Sequence, residues 1–253
     1  MKNSKTSILF LAIILSFGLA RAQTSEITIR AEALNNEAVQ KSEDGKYTEA
    51  VELFRQAIGL RPDYAAAYGN LGATYYRAGQ FEEAIAALKK AIELNPEYAE
   101  AYHRLGVVYA DLGKNDEAVE LLKQAVKLKP DFAMSYHNLG CVYIRQKKFK
   151  EAVAAFERAA RLDPNNAETF VQSGYALSRL KKYGEAIKQM EKAVALTPQD
   201  SQAQFFLGQL YLLNRNRQSA LAQYRKIVLF DVPTANKLYG VIYGKLLVTA
   251  GEK

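Results

Sequence analysis

Apolar and small residues return at fixed places in this chain, and their spacing predicts pairs of amphipathic helices repeated every 34 residues. The prolines mark the period: Pro62, Pro96, Pro130, Pro164 and Pro198 stand 34 residues apart, and Pro233 follows one residue late. Each follows an amphipathic run and is expected to end a helix there, because proline has no amide hydrogen and disfavours a helical residue before it. With each unit counted from the third residue after the preceding proline, the eighth place reads Ala38, Gly72, Gly106, Gly140, Gly174, Gly208. The twentieth reads Ala50, Ala84, Ala118, Ala152, Ala186, Ala220. Small side chains at both places let the two helices of a unit approach closely. Ala57, Ala91, Ala125, Ala159 and Ala193 at the twenty-seventh place extend that close packing to the next unit.

Larger residues fill the other core places. Leu34, Tyr68, Tyr102, Tyr136 and Phe170 hold the fourth, Leu71, Leu105, Leu139 and Leu207 the seventh, and Tyr75, Tyr109, Tyr143 and Tyr211 the eleventh. Gly45, Gly79 and Gly113 hold the fifteenth, where a left-handed residue can close the first helix. Each unit therefore reads helix, short turn, helix, proline. This pattern resembles the tetratricopeptide repeat, a 34-residue helix-turn-helix unit with a Leu-Gly, Tyr, Ala, Phe, Pro signature; the match is tightest from Ala65 to Gln199 and extends from Ala31 to about Thr234.

The resemblance implies an all-α fold, a right-handed α-α superhelix (solenoid) of about six repeats at 31–64, 65–98, 99–132, 133–166, 167–200 and 201–234. The end units depart from the pattern, with Glu37 and Lys41 where later units carry Leu and Tyr, and Ile227 where Ala recurs. Terminal repeats turn one face to water, which explains such departures. Residues 235–253 read as a C-terminal capping helix and tail, with Leu238, Val241, Ile242 and Leu246 spaced to bury the open side of the sixth unit.

In this family the first helix of each unit lines a groove that holds protein segments, so the resemblance also implies where partner-binding side chains lie. The groove places carry an apolar set: Tyr76, Val107, Met134, Ile144, Val171, Tyr175, Phe205, Leu212 and Leu213, with Val39 in the first unit. An apolar surface of that extent marks an interaction site. Arg77, Arg145 and Arg179 share the thirteenth place, which Asp111 interrupts. They would either fork onto the carboxylates of an acidic segment or stand solvated at helix ends, where a cation favours the dipole. One subclass of the family clamps the C-terminal carboxylate of chaperones. Its places fall here on Asn35, Val39, Asn70, Glu100 and Arg104, of which only Asn70 and Arg104 fit, so that ligand is not carried over.

His103, Met134, His137 and Cys141 are also expected to look into the groove. Thioether, imidazole and thiolate together suit a soft metal such as copper(I). The plainer reading is amphipathic histidines and a small buried cysteine, and no recognised metal motif is present. No cofactor is expected.

The chain has 253 residues, 49% of them hydrophobic, which supplies a core for one or two domains. Residues 1–22 have the parts of a secretory signal: Lys2 and Lys5, an apolar run from Ile8 to Leu19, and Ala20-Arg21-Ala22 before a cleavage point near Ala22. The run is shorter than the roughly 20 residues a membrane helix needs. The mature chain, with residues 23–30 as a short leading segment, is therefore expected to be exported, periplasmic or secreted, without membrane insertion; the alternative is that the segment is retained uncleaved as an anchor. Removing Lys2, Lys5 and Arg21 reduces the net charge from +7 to +4. That excess is interleaved with acids and lacks the basic stripe that nucleic-acid binding needs.

Cys141 is the only cysteine, so no internal disulfide forms. Outside the repeat pattern there is neither a Gly-rich phosphate loop nor a paired nucleophile and base. The recurring Glu49, Glu83, Glu117, Glu151 and Glu185 fall in first turns of second helices, where they complement the helix dipole. The expected function is a non-enzymatic scaffold for a protein or peptide ligand in the cell envelope or secreted space. Structural self-assembly and soft-metal binding are the rivals.

Overall fold

A computed structural model describes residues 25–244, and all the regular elements among them are helices. They are α1 (25–43), α2 (Tyr47–Leu60), α3 (Ala65–Arg77), α4 (Phe81–Leu94), α5 (Ala99–Asp111), α6 (Asn115–Leu128) and α7 (Ala133–Arg145). There follow α8 (Phe149–Leu162), α9 (Ala167–Arg179), α10 (Tyr183–Leu196), α11 (Ser201–Leu213), α12 (Arg217–Ile227) and α13 (Val232–Ile242). The described residues divide into two compact units, one running to Val108 and the other starting at Tyr109. The signal expected at 1–22 and the residue Leu246 lie outside the described residues. The stretch 23–30, read as a short leading segment, is already helical from residue 25.

The prolines end helices through the residue before them. Arg61, Asn95, Lys129, Asp163 and Thr197 each leave helical geometry, with φ between −140° and −129° and ψ between 73° and 93°, and each still donates its amide to the carbonyl four residues back. Proline enforces that extended backbone on its predecessor. First helices end differently. Gly45, Gly79 and Gly113 are left-handed as expected, and Lys147, Lys181 and Arg215 adopt the same turn with φ near 60°. In each case the following amide reaches back across the turn, as from Gln80 to the Tyr75 carbonyl (2.8 Å) and from Lys182 to that of Leu177 (2.9 Å).

Within a helix pair, the eighth place receives a large side chain from the second helix. A Cβ on Gly72 would stand 2.6 Å from Leu88 Cγ and 3.2 Å from the Ala84 carbonyl; one on Gly140 would stand 2.6 Å from the Phe156 ring, and one on Gly174 2.9 Å from Met190 Cγ. Phe54, Leu88, Leu122, Phe156 and Met190, all at the twenty-fourth place, are fully buried. The recurring alanines at the twentieth place are fully buried too.

The sixth pair departs from this rule. Helix α12 has 11 residues where α10 has 14, and the atoms nearest Gly208 belong to Leu238 of α13. Pro233 does not end a helix: it sits in the first turn of α13, behind the Asp231 cap that accepts the Thr234 amide at 3.0 Å. A proline is tolerated there because those amides have no helical partner. The final helix thus starts at Val232, before the expected Ala235. Leu238 and Ile242 join Ala220 and Ile227 in a core that Phe205 and Leu212 flank.

Gly140→Ala is expected to lower stability by about 2 kcal/mol, since the Phe156 ring must move. Gly184→Ala in α10, where an added Cβ meets nothing within 4 Å, should raise it by about 0.5 kcal/mol. Urea midpoints of the two variants should therefore move in opposite directions. Leu238→Ala should cost about 3 kcal/mol by the same measurement, because it empties the seat against Gly208.

Candidate protein-interaction face

In the first unit, the first helices are joined by polar side chains. Asn70 donates to Asn35 Oδ1 (3.2 Å), and Arg104 donates to Asn70 Oδ1 (3.0 Å) and to the Gly69 carbonyl (2.8 Å). One turn further on, Thr74 donates to Ser42 Oγ (3.0 Å), and Arg77 reaches the same oxygen at 3.4 Å. Asn70 and Arg104 therefore hold each other. Near-repeat spacing is the only trace that Asn35, Ser42 and Thr74 leave of this set in the sequence. Tyr76 is half-buried with its ring 6.0 Å from Phe81, and Val107 is half-buried.

His103 is 7% exposed, so it does not offer its imidazole at the surface as expected. Burial lowers its pKa from 6.5 to about 4, with the Arg104 charge adding to the effect.

In the second unit, the corresponding helices are α7, α9 and α11. Met134 and Leu213 are 61% and 52% exposed. Cys141 and Ile144 pack against the Phe156 cluster, Val171 against the Met190 cluster, and Phe205 and Leu212 against the core under α13. These five are half-buried, so each contributes to packing while leaving an edge at the surface. The arginines are braced within the chain. Arg145 donates to the Ala110 carbonyl and pairs with Asp111 at 3.3 Å; Arg179 donates to the Tyr175 hydroxyl at 2.9 Å and lies over the Phe149 ring. Asp111, which interrupts the arginine series, is thus the partner of its next member.

His137 Nδ1 is 2.9 Å from Thr169 Oγ1, and its Nε2 is 3.5 Å from Cys141 Sγ. Burial lowers the His137 pKa and pushes the Cys141 thiol up to about 11, so both groups are neutral near pH 7 and the thiol is a poor nucleophile. Beside them lies a cavity of about 230 Å³ lined by Phe132, Met134, His137, Asp163 and Thr169. Among the described residues, no group of three or more His, Cys, Asp or Glu side chains is placed to hold a metal ion.

The family model described as the cilia and flagella-associated protein 70 C-terminal domain, of the tetratricopeptide type, matches residues 15–229. The chain belongs to this tetratricopeptide-repeat family. Among solved structures, the tetratricopeptide protein YrrB, described as having an unusual peptide-binding site, is 26% identical; the match covers 75% of this chain and 98% of YrrB with a TM-score of 0.66. MamA from Desulfovibrio magneticus RS-1 is 25% identical over 66% of this chain and 94% of that one, with a TM-score of 0.61. PilF of Pseudomonas aeruginosa shares the fold at 18% identity, covering 87% and 99% of the two chains with a TM-score of 0.74. No curated protein matches the sequence.

Tetratricopeptide units of this kind are interaction scaffolds, and α7 and α11 leave Met134 and Leu213 exposed. Among the described residues no helix is long and apolar enough to cross a membrane.

The buried His103 makes stability depend on pH. It folds neutral and unfolds with an ordinary pKa, so its contribution is complete above about pH 6.5 and is lost as pH falls toward 4. Between pH 7.5 and pH 5 the protein should lose about 2 kcal/mol more than His103→Gln does, at roughly 1.4 kcal/mol per pH unit. Urea unfolding of the pair at both pH values checks this; parallel losses would contradict it.

Proposed function

We propose that this protein is a non-enzymatic interaction module that holds a protein or peptide segment against its first helices, outside the cytoplasm. The observation carrying this reading is the pair of large apolar side chains, Met134 and Leu213, left at the surface of α7 and α11. The likeness to YrrB, described by its peptide-binding site, supports it. Tyr175 and Arg179 on α9 add an aromatic face and a cation already pre-arranged by their mutual hydrogen bond, which lowers the ordering cost on binding. Export is supported by the signal-like composition of residues 1–22.

The rival of self-association would draw on Val232, Tyr239 and Tyr243, which are exposed on and just after α13. A monomer by light scattering at high concentration argues against it.

A photo-crosslinking residue at Met134 or Leu213 is expected to capture a partner peptide in the native compartment, whereas one at the exposed Glu157 of α8 is not. Equal capture from all three positions would refute the face assignment. Mass analysis of the mature N-terminus should find Gln23, and an intact Met1 would count against export by cleavage.

A further inference from the structure

Helix α13 carries the marks of a first helix. In four earlier units the seventh, eighth and eleventh places read Leu-Gly-x-x-Tyr, as in Leu71-Gly72 with Tyr75 and Leu207-Gly208 with Tyr211, and α13 reads Tyr239-Gly240-x-x-Tyr243. Gly240 stands 32 residues after Gly208, two short of the period, and is buried like its counterparts. On that register the third and tenth places of α13 are Ala235 and Ile242. Both are buried, as these places are in every unit from the second, with Ala67 and Thr74, to the sixth, with Ala203 and Leu210. The seventh and eleventh places differ. They are buried or half-buried in the second to sixth units, whereas Tyr239 and Tyr243 are 41% and 46% exposed.

In a regular unit the second helix helps to bury these two places. In the fourth unit Leu139 shares a cluster with Ala155, and Tyr143 packs against Ala152 and Phe156, all three on α8. Among the described residues no second helix follows α13. The face left open is one helical stripe, from the exposed Val232 through Tyr239 to Tyr243. The Tyr239 and Tyr243 rings are 4.4 Å apart, and Tyr224 of α12 is 5.4 Å from Tyr239. The border of this face is basic. Arg217 lies 4.7 Å over the Tyr243 ring, and residues 201–244 hold five Arg and Lys against one acid, Asp231, which is committed to the α13 cap.

We propose that α13 is the first helix of a seventh unit and that a partner protein supplies its second helix, an amphipathic segment reading Glu-Ala-x-x-x followed by Leu, Phe or Met. The five regular second helices of this chain all carry that motif, from Glu49-Ala50 with Phe54 to Glu185-Ala186 with Met190. The alanine admits close approach, and the large residue covers the open tyrosine rings. In the first unit the Glu49 carboxylate meets Lys41, at the eleventh place, at 2.7 Å. In the seventh it meets Tyr243 and the Arg217 guanidinium beside it, so the charges match. A second folded copy has no such helix to offer, because the Ala and the large residue of each are fully buried within their own unit. Residues 245–253, KLLVTAGEK, do not contain the motif.

The probe is a fluorescein-labelled peptide of residues 80–95, which carries Glu83, Ala84 and Leu88 of α4, added to the full chain. Its anisotropy should rise saturably, and Leu88→Asp in the peptide should weaken binding about tenfold, through loss of one buried leucine. In the protein, Tyr239→Ser combined with Tyr243→Ser should weaken binding about tenfold with little change in the urea midpoint, since both rings are exposed. Arg217→Gln should weaken it about threefold. A photo-crosslinking residue at Tyr243 should link to the peptide. No saturable binding at about millimolar peptide overturns the proposal, as does indifference to Leu88→Asp or to the paired tyrosine changes. Crosslinks from Tyr243 to a second copy or to residues 245–253 would assign the face to those occupants and overturn it too. Met134→Ser should leave peptide binding intact, which separates this site from the first-helix face; loss of binding there also counts against the α13 site.

Discussion

A bare glycine backbone under a fully buried Leu, Phe or Met is the contact on which the second, fourth and fifth helix pairs depend. Leu88 over Gly72, Phe156 over Gly140 and Met190 over Gly174 fill space that any Cβ would occupy. The large side chain gains burial of about 2–3 kcal/mol only if the first helix comes near enough to cover it. That requirement fixes the small residues at the twentieth place as well, because the same approach brings the Ala84 and Ala186 carbonyls within 3.4 Å of the glycine position. Once the pair closes, its flanks are determined, and the remaining apolar places pack against neighbouring helices.

Much of this was legible in the chain. The period, the helix pairs and the left-handed turns at Gly45, Gly79 and Gly113 follow from residues whose conformational limits are strong. Lys147, Lys181 and Arg215 were not legible, because a non-glycine residue at positive φ pays a penalty of about 1–2 kcal/mol that favours other readings. Here the closing amide-to-carbonyl bonds and the packed pair hold the turn. The twenty-fourth place escaped notice for a different reason: Phe, Leu and Met alternate there, so size recurs while identity does not. Pro233 misled because proline is compatible with both the end of a helix and its first turn, and only the early stop of α12 decides between them.

The candidate face was legible as a set of places and less so as a surface. A first helix turns its fifth, ninth and twelfth places partly toward the neighbouring repeat, so side chains such as Ile144, Phe205 and Leu212 divide their area between packing and water. Helical spacing alone cannot apportion that division, which depends on what the next helix presents. His103 is the extreme case, drawn inside with its basicity suppressed. The arginines show the same dependence: Arg145 is spoken for by Asp111 and Arg179 by Tyr175.

The hydrogen-bonded chain of Asn35, Asn70 and Arg104, with Ser42 and Thr74 beside it, bears on how such an array can be edited. Helix pairs joined by apolar contacts alone could be duplicated, deleted or traded with little regard for order. Here each first helix carries one half of a polar match whose other half stands in the adjacent repeat, and a shuffled neighbour would strand it. The repeats share a shape and yet are addressed to particular neighbours, so this stretch of the protein behaves as a sentence with word order and not as a string of identical beads.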